Sequence, residues 1–412
     1  MRRIALATLL ASGCTVAADE TPTWDGTLTD SAGVSIVANT GRGLWPPARA
    51  WRVEPDLAIG TIDGDSTAQF GRVADVATDS RGRILVLDQQ ARTVRVFDAT
   101  GAYLQAMGGP GEGPGELGRF ANAVLVSAGD TVYVPDYAQS RINVFDPAGV
   151  HVRDIPLSPP PGGRSWERLA DGRFLFRGVT IRRDETNRFR TADGLFSTRA
   201  DGGLDTLLTF DYVASDLGGP GNPVVPLIVN GAFWTRSPDG AIAWSSLDRD
   251  HVRVHAAGGA LTRLIRHAAW SRAPLTDADR LRLRELLREK LTMLGGDVAA
   301  VNQLRLVYDD AFPAITALRS GPDATLWVQR MGPASGISAM SVNAEDAGAG
   351  LGGNVWDVLD ADGRFLGTIT TPDRFRIQRI TDDAVYGVRQ DTLDAERVER
   401  LRLIRPGLRS GT

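Results

Sequence analysis

Side chains that could bind or react are dispersed along this sequence and do not form one compact motif. Six polar residues stand out because each lies, by register, in its own short strand-like segment. If these segments meet around one axis, the oxygens of these residues could together hold Ca²⁺, Mg²⁺ or a polar ligand. The candidate ligand-binding residues are Asp75, Asn122, Glu167, Thr235, Thr316 and Gln378.

A water-filled channel lined by the same six side chains is the competing interpretation. A hard metal ion needs several oxygens placed close together, and the spacing of residues along a sequence does not show that they are. We therefore predict no resident cofactor. Ca²⁺ or Mg²⁺ in the channel is the open alternative.

Other catalytic chemistry finds little support in the sequence. His251 and His255 are an even number of residues apart and share one face of a strand, but a zinc site needs a third ligand, and only His151 and His267 remain. No G-x-S-x-G nucleophile motif is present. The single cysteine, Cys14, permits neither an internal disulfide nor a thiolate cluster. We predict no catalytic residue.

The elements that must position the six candidates are organised as a repeat. Residues 73–109 are followed by a second copy, 121–157, in which matching residues such as Asp88 and Asp136 are 48 positions apart. Each copy alternates short strands with turns, and this period is typical of a four-stranded β-propeller blade. We expect the recurring aspartates to make hydrogen bonds at strand ends and turns.

Weaker copies of the repeat continue along the chain. The turn glycines Gly101, Gly149, Gly202 and Gly258 are separated by 48, 53 and 56 residues, which indicates four consecutive blades. Two later groups of strand-like segments bring the count to six. The last group lacks one strand, and we predict that segment 48–59 supplies it, since a ring closed in this way leaves no open seam. The predicted fold class is all-β, a six-bladed β-propeller.

A helical insertion interrupts the repeat between blades four and five. The sequence TDAD at 276–279 has the composition of a helix N-terminus, and leucines at helical spacing follow as far as the glycine pair at 295–296. We predict an insertion over 273–312 whose leucine face packs against the propeller. A lid or partner-binding helix is the alternative. The segments 211–226 and 331–353 are predicted to be loops.

The best-preserved repeat resembles a known family. The sequence GRILVLDQQARTVRVFDATGAYLQAMGGPGEGPGELGRF is similar to an NHL repeat, and in particular to the six-bladed β-propeller lipoproteins that bacteria export. The marks of the resemblance are the short strand closed by aspartate, the V-x-V-F-D turn and the glycine-rich linker between blades. The resemblance implies the fold, and it implies no particular activity.

The N-terminal residues have the features of an export signal. Residues 1–18 combine two arginines, a short apolar run and small residues before Cys14, and this arrangement resembles the lipobox of bacterial lipoproteins, in which the cysteine is lipidated. Cleavage near residues 17–18, with loss of Cys14, is the alternative. Residues 19–47 are predicted to be a tether, and 48–408 to be the propeller.

Composition limits the classes of partner. The formal net charge is −4, and no basic block occurs, so nucleic acid is a poor candidate. We expect a monomer in the periplasm or anchored to the outer membrane, in contact with the membrane only through its lipid. The predicted function is binding of a small molecule or a protein. A metal-dependent hydrolase or lyase of the lactonase type, with its site in the central channel, is the alternative.

Overall fold

The structure is a computed structural model. Cys14 and the predicted export signal lie outside the residues that it describes. Within those residues, no helix has both the length and the apolar character needed to cross a membrane. The described residues are 23–61, 65–157, 163–183, 185–186, 189–210, 218–219, 222–227, 231–293, 295–302, 304–338, 350–391 and 395–406.

Three strands precede the first repeat, and the first two, β1 and β2, contradict the prediction of a tether over 19–47. β1 and β2 form an antiparallel hairpin. Val37 and Asn39 of this hairpin are buried, because β2 extends the sheet of the fourth blade. The glycine- and serine-rich composition around the hairpin concealed its β-branched residues, which favour a strand. The three strands are β1 (Thr27–Ser31), β2 (Val34–Asn39) and β3 (Arg52–Ile59).

The two best-preserved repeats form two antiparallel four-stranded sheets, blades one and two. Gly101 and Gly149 lie in the turn before each fourth strand with φ of +89° and +88°, which glycine adopts without steric cost. Asp98 and Asp146 close the same turns by accepting backbone N–H bonds. The strands are β4 (Val73–Thr78), β5 (Ile84–Asp88), β6 (Thr93–Phe97) and β7 (Tyr103–Met107), then β8 (Leu125–Val126), β9 (Val132–Asp136), β10 (Arg141–Phe145) and β11 (His151–Pro156).

Blade three departs from this plan because its two central strands are ten residues long, twice the length of β5 and β6. Two short strands follow in the segment 211–226, which was predicted to be a loop. Residues 211–217 and 220–221 of that segment lie outside the described residues. The strands are β12 (Arg164–Arg168), β13 (Phe174–Arg183), β14 (Phe189–Thr198), β15 (Leu204–Thr209), β16 (Gly218–Gly219) and β17 (Asn222–Pro226).

Blade four has six strands because β2 pairs in parallel with its outer strand and β1 forms the new edge. Asn39 fixes this arrangement: its side chain donates to the carbonyls of Arg266 and Gly363 and accepts from the N–H of Phe365. The N-terminal hairpin therefore joins blade four to the neighbouring blade. The strands of blade four's own repeat are β18 (Ala232–Arg236), β19 (Ile242–Ser246), β20 (His251–His255) and β21 (Leu261–His267).

The helical insertion lies between β21 and blade five, as predicted. α1 (Asp277–Met293) begins with a capping box, in which Thr276 and Asp279 exchange side-chain to backbone hydrogen bonds. Leu283 and Leu287 are buried in one apolar cluster with residues of blades four and five, which confirms that the leucine face packs against the propeller. After the helix, β22 (Arg305–Val307) pairs in parallel with β17.

Blades five and six complete the ring. As predicted, β3 pairs antiparallel with the last strand of the chain and becomes the outer strand of blade six. The segment 331–353 was predicted to be an exposed loop, but Ile337 and Leu351 are buried against the cluster that holds the helix, and 339–349 lie outside the described residues. The strands are β23 (Ile315–Ser320), β24 (Leu326–Met331), β25 (Gly352–Leu359), β26 (Phe365–Thr370), β27 (Phe375–Ile380), β28 (Ala384–Gln390) and β29 (Glu396–Ile404).

Candidate ligand-binding channel

Each blade contributes one polar side chain, in its inner strand or just before it, that bridges to the same region of the next blade. The inner strands are β4, β8, β12, β18, β23 and β27, each of which is the terminal, inward strand of its sheet. Inner strands leave backbone groups unpaired on the channel side, and such groups need partners when they are buried. Five of the six bridges pair such a backbone group, and the sixth is an ion pair between two side chains.

The first two bridges use residues that the sequence singled out. Asp75 in blade one accepts the backbone N–H of Val124 in blade two at 2.9 Å, and it also accepts the N–H of Val76 at 2.8 Å. Asn122 in blade two donates to the carbonyl of Gly163 in blade three at 2.8 Å. Burial raises the pKa of Asp75, although these backbone donors oppose the rise.

The third and fourth bridges also involve predicted residues. Glu167 in blade three forms an ion pair with Arg236 in blade four, with 3.7 Å between Oε2 and Nη1. Thr235 in blade four accepts the N–H of Ser320 in blade five at 2.9 Å. Burial raises the pKa of Glu167 to about 7, although the positive charge of Arg236 opposes this shift.

Arginines that the sequence analysis overlooked make the last two bridges. Arg319 in blade five donates through Nε and Nη2 to the carbonyl of Ile377 in blade six, at 3.1 and 2.9 Å. Arg376 in blade six donates to the carbonyl of Val73 in blade one at 2.9 Å and so closes the circle. A guanidinium has only N–H donors, so neither arginine belongs to a set of oxygen ligands.

The two remaining candidates make no bridge between blades among the described residues. Thr316 is buried and donates to Gln329 of its own blade at 3.2 Å. Gln378 lies at an irregularity in the pairing of β27 with β28, between Ile377 and Arg379. The register inferred from sequence was therefore displaced in the last blades, where the inner strands carry bulges that change which residues face the channel.

Four residues occupy the same position in their inner strands, and three of them are charged. Each is the penultimate residue of its inner strand, in blades three to six respectively: Glu167, Thr235, Arg319 and Arg379. This common position is the signal in the sequence that identifies Arg319 and Arg379. It is visible only when the ends of the inner strands are known to within one residue.

Arg379 occupies a central place in this group. Its positive charge opposes the rise in the pKa of Asp75 in blade one and of Glu167 in blade three, which lies opposite blade six. The guanidinium of Arg379 therefore acts across the channel. Its Nε is buried without a hydrogen-bond partner among the described residues. Arg319 also acts on Asp75. Three arginines therefore face two carboxyl groups whose pKa values are raised, and the positive charge exceeds the negative charge.

The residues present do not fit a metal ion in the channel. Within the described parts of the chain, no group of three or more His, Cys, Asp or Glu residues is arranged to hold one. Asp75 already accepts backbone N–H groups, and Glu167 is paired with Arg236. His251 and His255 bond to Asp250 and to the carbonyl of Gly259 respectively.

Comparison with known proteins supports the fold. A family model, DUF5128, described as a 6-bladed beta-propeller, matches residues 65–159. A solved structure of a DUF4221 family member from Bacteroides vulgatus is 9% identical, with a TM-score of 0.53, and the match covers 87% of this chain and 99% of that one. A search of curated proteins gave no match.

An enzyme and a calcium-binding protein of known structure have lower TM-scores. Virginiamycin B lyase from Staphylococcus aureus is 10% identical, with a TM-score of 0.45 and coverage of 86% of this chain and 100% of that chain. Regucalcin, a calcium-binding protein from Agrobacterium tumefaciens, is 10% identical, with a TM-score of 0.42 and coverage of 86% and 96%. The chain is a six-bladed β-propeller, and the predicted resemblance to NHL-type propellers is confirmed at the level of the fold.

Proposed function

We propose that this protein binds a small anionic ligand, such as a carboxylate, in its central channel. The observation that carries the proposal is Arg379, whose buried Nε has no hydrogen-bond partner among the described residues and whose charge acts on carboxyl groups on two sides of the channel. A guanidinium presents several N–H donors in a fork that suits carboxylate and phosphate oxygens.

The surrounding charges favour an anion over a cation. The carboxyl groups of Asp75 and Glu167 both have raised pKa values, so each tends to take up a proton when a negative ligand comes near. The ligand therefore does not face two fixed negative charges. Arg236, Arg319 and Arg379 retain their charge at all physiological pH values. We expect binding to be tighter at pH 6 than at pH 8.

Calorimetric titration of the purified protein with citrate, succinate, acetate and phosphate at fixed ionic strength tests this proposal. The expected result is saturable binding of at least one anion, weakened tenfold or more by Arg379→Gln. Arg81→Gln is the matched control, because Arg81 is exposed in the turn between β4 and β5 and pairs with Asp130, so its replacement is expected to leave the affinity unchanged. Equal affinities in all three proteins, or no binding of any anion, would contradict the proposal.

We also propose that the protein is exported, anchored through a lipid on Cys14, and monomeric. The support is the short apolar run and the small residues before the only cysteine. Palmitate labelling of cells that express the full chain is expected to mark the wild-type protein and not Cys14→Ser. Equal labelling of both would show that the lipid is elsewhere, and absence of label on both would favour simple secretion.

A metal-dependent hydrolase or lyase was the alternative function. No arrangement of ligands among the described residues favours it. The anion-binding proposal therefore stands as the better-supported one.

A further inference from the structure

The inner strand of blade six, β27, contains two arginines that point to the same side. In a regular strand, residues three apart, such as Arg376 and Arg379, lie on opposite faces. The irregularity between Ile377 and Arg379 places one extra residue in β27 opposite β28, and an extra residue reverses the alternation. Arg376 and Arg379 therefore share one face of the strand.

The packing of β27 shows the same arrangement. The apolar side chains of Phe375, Ile377 and Ile380 all pack in one cluster with Trp327 and Trp356 of blade five. The two arginines lie between these apolar positions in the sequence, so they face the other way, toward the inner strand of blade one.

Both arginines act on that strand, β4. Nη2 of Arg376 donates to the carbonyl of Val73 at 2.9 Å, at the start of β4. Burial raises the pKa of Asp75, two residues further along, and the charge of Arg379 opposes the rise. Two residues along β4 and three along β27, at about 3.3 Å for each residue, place the two guanidinium groups roughly 7–10 Å apart along the channel.

A third arginine lies between these two levels. Arg319 of blade five donates to the carbonyl of Ile377, the residue that follows Arg376. Three guanidinium groups are therefore distributed along β27, beginning at the mouth of the channel where the inner strands start. A ligand that extends along this side of the channel meets positive charge over its whole length.

Arg376 retains donors that are available to a ligand. A guanidinium has five N–H groups, and the carbonyl of Val73 takes one of them, while the side chain is 44% exposed. Glu396, 3.8 Å away, offsets part of the charge, but its carboxylate already accepts the N–H of Val73. Arg72 adds a positive charge beside Val73, and its exposed side chain takes part in no ion pair or hydrogen bond among the described residues.

We propose that the anion bound in the channel carries two carboxylate groups, one held by Arg379 and the other by Arg376 at the mouth. This inference rests on the proposed function, because it names the class of ligand for the same site. The ligand is a linear dicarboxylate whose ends are separated by several methylene groups, so that each end meets a fork of N–H donors. A ligand with one carboxylate uses only one of the two arginines.

Calorimetric titration of the full chain with suberate and octanoate at fixed ionic strength tests the proposal, because these ligands have the same chain length and differ by one carboxylate. Suberate is expected to bind about tenfold more tightly than octanoate, or better, since hydrogen bonds to charged groups are strong. Arg379→Gln is expected to weaken the binding of both ligands. Arg376→Gln is expected to reduce the affinity for suberate to that for octanoate and to leave octanoate binding unchanged.

Arg72→Gln provides a second test that removes no hydrogen bond from the fold. It is expected to weaken suberate binding severalfold and to leave octanoate binding unchanged. Arg81→Gln, at the other end of β4, is the control and is expected to change neither affinity.

Equal affinities of the wild-type protein for suberate and octanoate, both lowered by Arg379→Gln, would overturn the proposal of two carboxylates and leave the anion site standing. The proposal is also overturned if neither ligand binds. Titration with citrate and phosphate then decides whether the anion site itself stands.

Discussion

Glu167 in blade three and Arg236 in blade four form an ion pair of 3.7 Å across the junction of their inner strands. The pair is one of six polar bridges that run round the channel, and it is the only one of the six in which both partners are charged side chains. Removal from water raises the pKa of Glu167 to about 7, and Arg236 and Arg379 limit the rise. The bridge therefore titrates in the physiological range.

Glu167→Gln is expected to flatten the dependence of stability on pH. The folded-state pKa, about 7, is above the ordinary value of 4.5, so the folded wild-type protein binds the extra proton between these values and loses stability as the pH rises through this window. Because 34% of the side chain is exposed, solvent screening reduces the effect, and we expect about 1 kcal/mol. Urea unfolding at pH 5 and pH 8 measures the difference in the free energy of unfolding between the two pH values. If this difference is the same in Glu167→Gln as in the wild-type protein, the pKa of Glu167 is not raised.

Asp75 is expected to stabilise the junction of blades one and two by accepting hydrogen bonds, whatever its charge. Asp75→Asn keeps an acceptor for the N–H of Val124 and is expected to change stability little. Asp75→Ala leaves this donor without its partner, which costs about 1–3 kcal/mol. Denaturant unfolding compares the two variants, with Asp382→Asn at an exposed turn as the control. Equal losses in both variants at position 75 would show that the charge is what matters.

The N-terminal hairpin is expected to be part of the folded core. The side chain of Asn39 is buried and makes four hydrogen bonds, including one accepted from Nε1 of Trp24 at 2.9 Å. Asn39→Ala removes all four and is expected to cost about 2–4 kcal/mol, measured by urea unfolding. Leu28→Ala, at the exposed edge strand, should have no measurable effect. A flexible tether would tolerate both changes equally.

The repeat made the fold predictable, and its irregularities limited the prediction of the site. Turn residues such as Gly101 and Gly149 mark the blades because the local backbone demands them. The channel residues depend on the exact register of the inner strands, which bulges shift by one residue in several blades. Asp75 and Glu167 were found, whereas Arg319 and Arg379 became visible only when the strand ends were known.

The N-terminal hairpin was missed for a different reason. Its place in the fold depends on contacts between residues far apart in sequence, such as the hydrogen bond that Asn39 accepts from the N–H of Phe365. Local pattern and composition do not show contacts of this kind.

His267 is expected to make the protein less stable in acid. Its Nδ1 accepts the N–H of Ala269 at 2.9 Å, its ring packs edge-to-face on Phe365, and burial lowers its pKa below the ordinary value of 6.5. The folded state therefore favours the neutral ring, and its stabilising contribution is lost as the pH falls from 6.5 through the lowered value. His267→Gln keeps an acceptor and cannot take up the proton, so its loss of stability between pH 7 and pH 5 is expected to be smaller than that of the wild-type protein. Unfolding in urea at these two pH values checks this, and an identical acid response in both proteins would show that other groups cause it.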